Sequence, residues 1–163
     1  MPVAKLCRTA LSATLMIAAV AALPAAAATT LNCPALDTVK QVAACPTEEE
    51  LRYTYLGYCG DNARSYDRDE ITCATFESYK QFKNIALWES ADGRFSGYLD
   101  CNVDAKTIQA APARLMRVEE RRGINQLICE YEGGHRLVHR TRAQCTVDVA
   151  ACNGPGCSAS CEE

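Results

Sequence analysis

The chain has 163 residues with 17 basic and 20 acidic side chains, a mildly acidic balance that offers no electrostatic footprint for nucleic acid or anionic lipid. Its eleven cysteines are the strongest compositional signal. Neither feature points to a particular activity.

Residues 1–28 have the three-part layout of a cleaved secretory signal peptide. Lys5 and Arg8 make a positive start, Leu11 to Leu23 is an apolar run of 13 residues, and Ala26-Ala27-Ala28 offers a small-x-small cleavage pattern before Thr29. A spanning helix needs about 20 apolar residues, and no later run is long enough to span, so no transmembrane segment is expected after signal cleavage. Cys7 precedes the apolar run, which is a poor place for lipid attachment. Cleavage would leave residues 29–163 as one disulfide-rich domain of 135 residues, with 15 basic against 20 acidic side chains.

Ten cysteines remain after such a cleavage: Cys33, Cys45, Cys59, Cys73, Cys101, Cys129, Cys145, Cys152, Cys157 and Cys161. An even count in an exported chain predicts a disulfide framework. No C-x-x-C occurs, which argues against a thioredoxin-like site or a zinc ribbon. Ten cysteines allow roughly 900 pairings, and the sequence does not choose among them.

In chain order, "CPALDTVKQVAACP" carries a Cys-Pro at each end, which biases the cysteines away from helix. The next stretch, 47–58, is ambiguous between helix and strand. Thr47 and Glu50 have capping-box spacing, while Tyr53, Tyr55 and Tyr58 favour strand. "GDNARSYDRDE" (60–70) reads as a polar surface loop. "TFESYKQFK" (75–83) predicts a short amphipathic helix with Phe76, Tyr79 and Phe82 facing inward.

Three hairpins follow. A turn at Asp92-Gly93 pairs Trp88 with Gly97 and Ala86 with Leu99, and Gly97 is expected to leave room for the lone tryptophan. A turn at Arg122-Gly123 pairs Val118 with Leu127 and Met116 with Cys129. A turn at Gly133-Gly134 pairs Glu132 with His135, Cys129 with Val138, and Ile128 with His139. Both of the latter turns place Cys129 on an apolar face with Met116, Val118, Leu127 and Val138. "CTVDV" (145–149) can supply another strand, and a cysteine-rich tail covers 150–163.

In the third hairpin so drawn, Glu130, Glu132, His135 and His139 share the face away from Cys129. Such nitrogen and oxygen ligands suit a zinc-type metal. Two histidines four residues apart on a strand, however, are separated by about 13 Å, and a zinc holds each ligand at about 2 Å. A solvated face of cross-strand charge pairs is the preferred reading, so no metal and no cofactor is expected. There is no G-x-S-x-G elbow and no phosphate-binding glycine loop. The acidic runs at 48–50, 67–70 and 119–120 read as exposed charge rather than a catalytic pair. Tyr53, Tyr55 and Tyr58 suit either packing or recognition.

The mature chain opens near a Cys-Pro. Its second half places Cys129-x-Tyr131, Leu137 and Cys145-x-Val147 in order, with Trp88 upstream. That pattern resembles small exported proteobacterial proteins grouped in families of unknown function, over about residues 85–149. The resemblance implies export and a small β-rich domain but supplies no catalytic residues. The added cysteines and the tail "CNGPGCSASCEE" depart from it.

The expected fold is therefore α+β to mainly β: a disulfide-stapled antiparallel meander of about five strands with one short helix. The expected function is that of a periplasmic or secreted, non-catalytic module binding a protein or other envelope partner, in an inhibitor, immunity or accessory role. The alternative is a small exported hydrolase or metal-dependent enzyme using Glu130, Glu132, His135 and His139.

Overall fold

The computed structural model describes residues 28–154 and 156–162. The expected signal peptide, apart from Ala28, lies outside the described residues. Among the described residues, nine strands form two antiparallel sheets. The larger has the order β2 (Lys40–Gln41), β3 (Ile85–Glu89), β4 (Ser96–Asp100), β7 (Arg136–Thr141), β6 (Ile124–Tyr131), β5 (Ala113–Arg121); the smaller has the order β1 (Thr29–Asn32), β9 (Ser158–Glu162), β8 (Gln144–Val149). The helices are α1 (Glu48–Cys59), α2 (Glu70–Cys73), α3 (Phe76–Lys83) and α4 (Ala105–Ala110). None of the described helices is long and apolar enough to cross a membrane.

The β-rich, disulfide-stapled character agrees with the sequence, but the strand and helix counts exceed the expected five and one. The expected tail supplies β9, the central strand of the small sheet. "SASCE" has little intrinsic strand preference. It is held in place because Cys161 sits opposite Cys145 and is bonded to it, and because Ala159 is fully buried between the sheets.

The core lies between the two sheets. Leu31, Cys33, Cys157 and Ala159 meet Trp88, Phe95, Leu99, Met116, Leu127, Cys129 and Leu137 of the larger sheet or its turns. At one edge the sheets are joined by backbone: Met116 N–H donates to Ala150 O (2.7 Å) and Cys152 N–H to Arg114 O (3.1 Å). Among the described residues there are five disulfides: Cys33–Cys129, Cys45–Cys101, Cys59–Cys73, Cys145–Cys161 and Cys152–Cys157. The first spans 96 residues and links the end of β1 to the middle of β6 through the core.

Segment 47–58 is helical. Thr47 Oγ1 accepts from Glu50 N–H, Glu50 Oε2 accepts from Thr47 N–H at 2.7 Å, and the capping box outweighs the tyrosines' strand preference. Tyr55 and Tyr58 pack against Tyr79 of α3 with centroids 5.4 and 6.0 Å apart. Of the three aromatics expected to face inward from α3, only Tyr79 is buried; Phe76 is half-buried and Phe82 is exposed. A spacing of three slips by about 60° per step around a helix of 3.6 residues per turn, so Phe82 ends well off the inner stripe. The expected loop at 60–70 is on the surface, but it coils into a π-type turn (Arg64–Arg68) leading into α2. The Cys59–Cys73 bridge closes that stretch on itself.

The first two hairpins adopt the expected registers, Trp88 opposite Gly97 and Met116 opposite Cys129. The nearest occupants of the space at Gly97 belong to β7. An added Cβ there would lie 2.1 Å from Arg136 O and 3.0 Å from a methyl of Leu137, so the glycine admits the backbone of β7. The third hairpin differs by one residue. Tyr131 N–H donates to His135 O (2.9 Å), which makes a three-residue loop of Glu132, Gly133 and Gly134 rather than a two-residue turn. Gly133 and Gly134 have φ of 76° and 80°, conformations that glycine adopts without a Cβ penalty. Cys129 consequently faces Leu137, not Val138.

Candidate functional site

A slip of one residue turns every side chain of a strand to the other face. It therefore dissolves the shared face expected for Glu130, Glu132, His135 and His139. Glu130 remains on the outer face, where its Oε1 accepts from Arg117 Nε (3.1 Å) and lies 3.4 Å from Arg136 Nε. Glu132 sits in the turn, held by Arg114, which also donates to Asn153 Oδ1 at 2.7 Å. His135 and His139 turn to the side of Leu127 and Cys129, since His139 is opposite Leu127. His139 Nδ1 lies 2.8 Å from Arg94 O, and its ring packs 5.6 Å from Phe95. Among the described residues no three His, Cys, Asp or Glu side chains gather as a metal-binding group.

His135 instead lines a cleft of about 660 Å³ between α4 and the 132–134 turn, with Lys106, Thr107, Ala110, Ala111, Pro112, Glu132 and Gly133. The residue is 8% exposed. Burial pulls its imidazole pKa below the ordinary histidine value, with the Asp100 carboxylate opposing. A second cleft, of about 480 Å³, continues past the shared residues Lys106, Ala110, Ala111 and Pro112 toward Pro34, Leu36 and Asp37. Its far wall is anchored from the sheet, because Tyr131 Oη donates to Pro34 O at 2.7 Å. Burial raises the phenol pKa, which keeps that hydroxyl a donor. α4 itself starts at Asp104, whose carboxylate accepts from the N–H groups of Lys106 and Thr107.

The other concavity lies on the helical segment. Tyr53, Leu56, Gly57, Tyr58, Arg64 and Tyr79 line a groove of about 600 Å³. α1 has apolar residues on both sides. Leu51 is buried and Tyr55 and Tyr58 pack on Tyr79, while Tyr53 and Leu56, three apart, are 80% and 71% exposed. Arg64 and Lys83 each place a cation over the Tyr58 ring, at 4.4 and 4.6 Å from its centroid. Tyr58 Oη donates to Asp69 in a 2.5 Å hydrogen bond, and Asp69 also accepts from Thr72. These contacts lower the Asp69 pKa and raise that of Tyr58.

No family model, no curated protein and no solved structure matches the chain.

Sequence reasoning singled out Tyr53 and Tyr58 but missed Leu56 and Arg64 as their neighbours, because that grouping requires α1 to be a helix. It also missed the α4 cleft entirely. The lining of that cleft and of its neighbour comes from three separated stretches, 106–112, 132–135 and 33–37, the last held near the sheet by Cys33–Cys129 and the Tyr131–Pro34 contact.

Proposed function

We propose that this chain is an exported, non-catalytic module that binds a protein partner through the aromatic groove on α1. The observation that carries this reading is the outward Tyr53–Leu56 pair beside Arg64. Five of the nine exposed large apolar side chains among the described residues, Tyr53, Leu56, Tyr66, Ile71 and Phe82, belong to the single segment 48–83. Exposed apolar side chains are ordinary when scattered, but here they are concentrated on the helical segment, Tyr53 and Leu56 share the α1 groove, and Tyr and Arg are the residues enriched at interaction surfaces. Five disulfides support export to an oxidising compartment, periplasmic or extracellular, and stiffen the platform so that little entropy is lost on docking. The enzymatic alternative relied on one face shared by Glu130, Glu132, His135 and His139, and the register divides that face.

The test is affinity capture from envelope and culture fractions with disulfides intact, comparing the native chain with Leu56→Ser and Tyr53→Ser. A protein retained by the native chain and lost from both variants, at unchanged thermal stability, supports the reading. Equal retention by the variants, or no retained protein across repeated conditions, overturns it.

A further inference from the structure

We propose that the trough between α4 and the Glu132–Gly134 turn is a binding site for a small carboxylate with a flat apolar body. This site lies apart from the α1 groove and stands whether or not a protein docks there.

Three observations point to it. His135 is 8% exposed as a residue, its ring makes no hydrogen bond to another described residue, and among the described residues no buried side-chain N or O atom is sealed away without a partner. Its ring nitrogens are therefore not sealed from solvent, and the residue lines the trough. Second, the ring is seated against a glycine. A Cβ on Gly133 would come within 3.1 Å of His135 Nε2, so that nitrogen stands directly over the bare backbone of the trough wall. Third, the facing wall supplies the complementary chemistry. Lys106 forms no ion pair among the described residues, and it lines both clefts.

The acidic groups nearby do not cancel this polarity. Glu132, on the same wall, is held by Arg114, and Asp37 stands in the neighbouring cleft. Asp100, from β4, acts on His135 and opposes the effect of burial. A carboxylate placed at the Lys106–His135 end would receive a charge-assisted hydrogen bond from the ammonium and one from the imidazole N–H. Its body would lie along Ala110, Ala111 and Pro112, small residues that make a low, flat apolar wall suited to a planar ring. Protonation of His135 would add a second positive charge, so affinity should rise as pH is lowered through its titration.

The probe is 2-naphthoate, titrated into the disulfide-intact protein while the His135 ring signals are followed by NMR. The uncharged 2-naphthylmethanol serves as its comparison. Saturable one-to-one binding that weakens about tenfold or more for the alcohol, for Lys106→Gln and for Ala110→Phe would support the site, a tenfold loss being a change of about 1.4 kcal/mol. Both substituted positions are on the exposed surface of α4, and retained amide spectra would verify folding. No saturable shift at His135 up to about millimolar probe would overturn the proposal. So would equal affinity for the alcohol, or unchanged affinity in the folded variants.

Discussion

Cys129 lies directly opposite Leu137 on the neighbouring strand, and this pairing decides on which side of the sheet both histidines stand. Cys129 and Leu137 are both fully buried. The pairing predicts cross-strand backbone NOEs between Cys129 and Leu137 in the NMR spectrum of the folded protein. Strong contacts from Cys129 to Val138 instead would restore the shared face of Glu130, Glu132, His135 and His139, and with it the metal-site reading.

The disulfides should not contribute equally. Cys33–Cys129 closes a separation of 96 residues and Cys152–Cys157 one of 5. In the chain-entropy description the first stabilises by about 4.7 kcal/mol and the second by about 2 kcal/mol. Urea unfolding of the two paired Cys→Ala variants would measure this. An equal or greater loss from removing Cys152–Cys157 would refute the ranking.

Two glycines should respond to alanine with opposite signs. Gly97→Ala drives a methyl into Arg136 O, a backbone atom 2.1 Å away, and should cost about 3 kcal/mol by overpacking. Gly57 sits inside α1 with nothing near its missing Cβ, so Gly57→Ala should stabilise by up to about 1 kcal/mol. Thermal denaturation of both variants tests the pair. A neutral Gly97→Ala would mean that β7 does not approach β4 as closely as described.

His135 should titrate below the ordinary value of 6.5, because burial disfavours its charged form more than Asp100 favours it. With the folded pKa depressed, the unfolded chain takes up protons first as pH falls. The stabilisation from keeping His135 neutral is therefore complete above the unfolded pKa of about 6.5 and is lost as pH drops toward the folded pKa. NMR titration of the ring protons, together with unfolding free energies measured across that interval, would detect it. A His135 titration at or above 6.5 would show that the imidazole is better solvated than its position implies.

Glu130 offers a contrasting case. Its contacts to Arg117 and Arg136 lie on a partly exposed face, with 26% of the Glu130 side chain accessible. Solvent screening limits such pairs to about 1 kcal/mol or less, so Glu130→Gln should cost little, and the cost should shrink with added salt. A loss of several kcal/mol would indicate a role beyond surface pairing.

The sequence by itself determined the local chemistry. Thr47 and Glu50 have the spacing of the capping box that forms, although the tyrosines left that stretch ambiguous, and Asp92-Gly93 and Arg122-Gly123 set two registers, since these outcomes depend on residues near one another in the chain. The ten cysteines after residue 28 anticipate a framework but not its pairing. Tertiary structure alone decided which cysteines join, that the small residues of β9 become a central strand, and that stretches 33–37 and 132–135 each meet 106–112 to line two adjoining clefts. The third register fell between these cases. Gly133-Gly134 permits both a two-residue and a three-residue loop, and the choice went to the one that buries Leu137 rather than Val138 beside Cys129. A turn sequence restricts the backbone conformations available, but the free energy of filling the core selects among them.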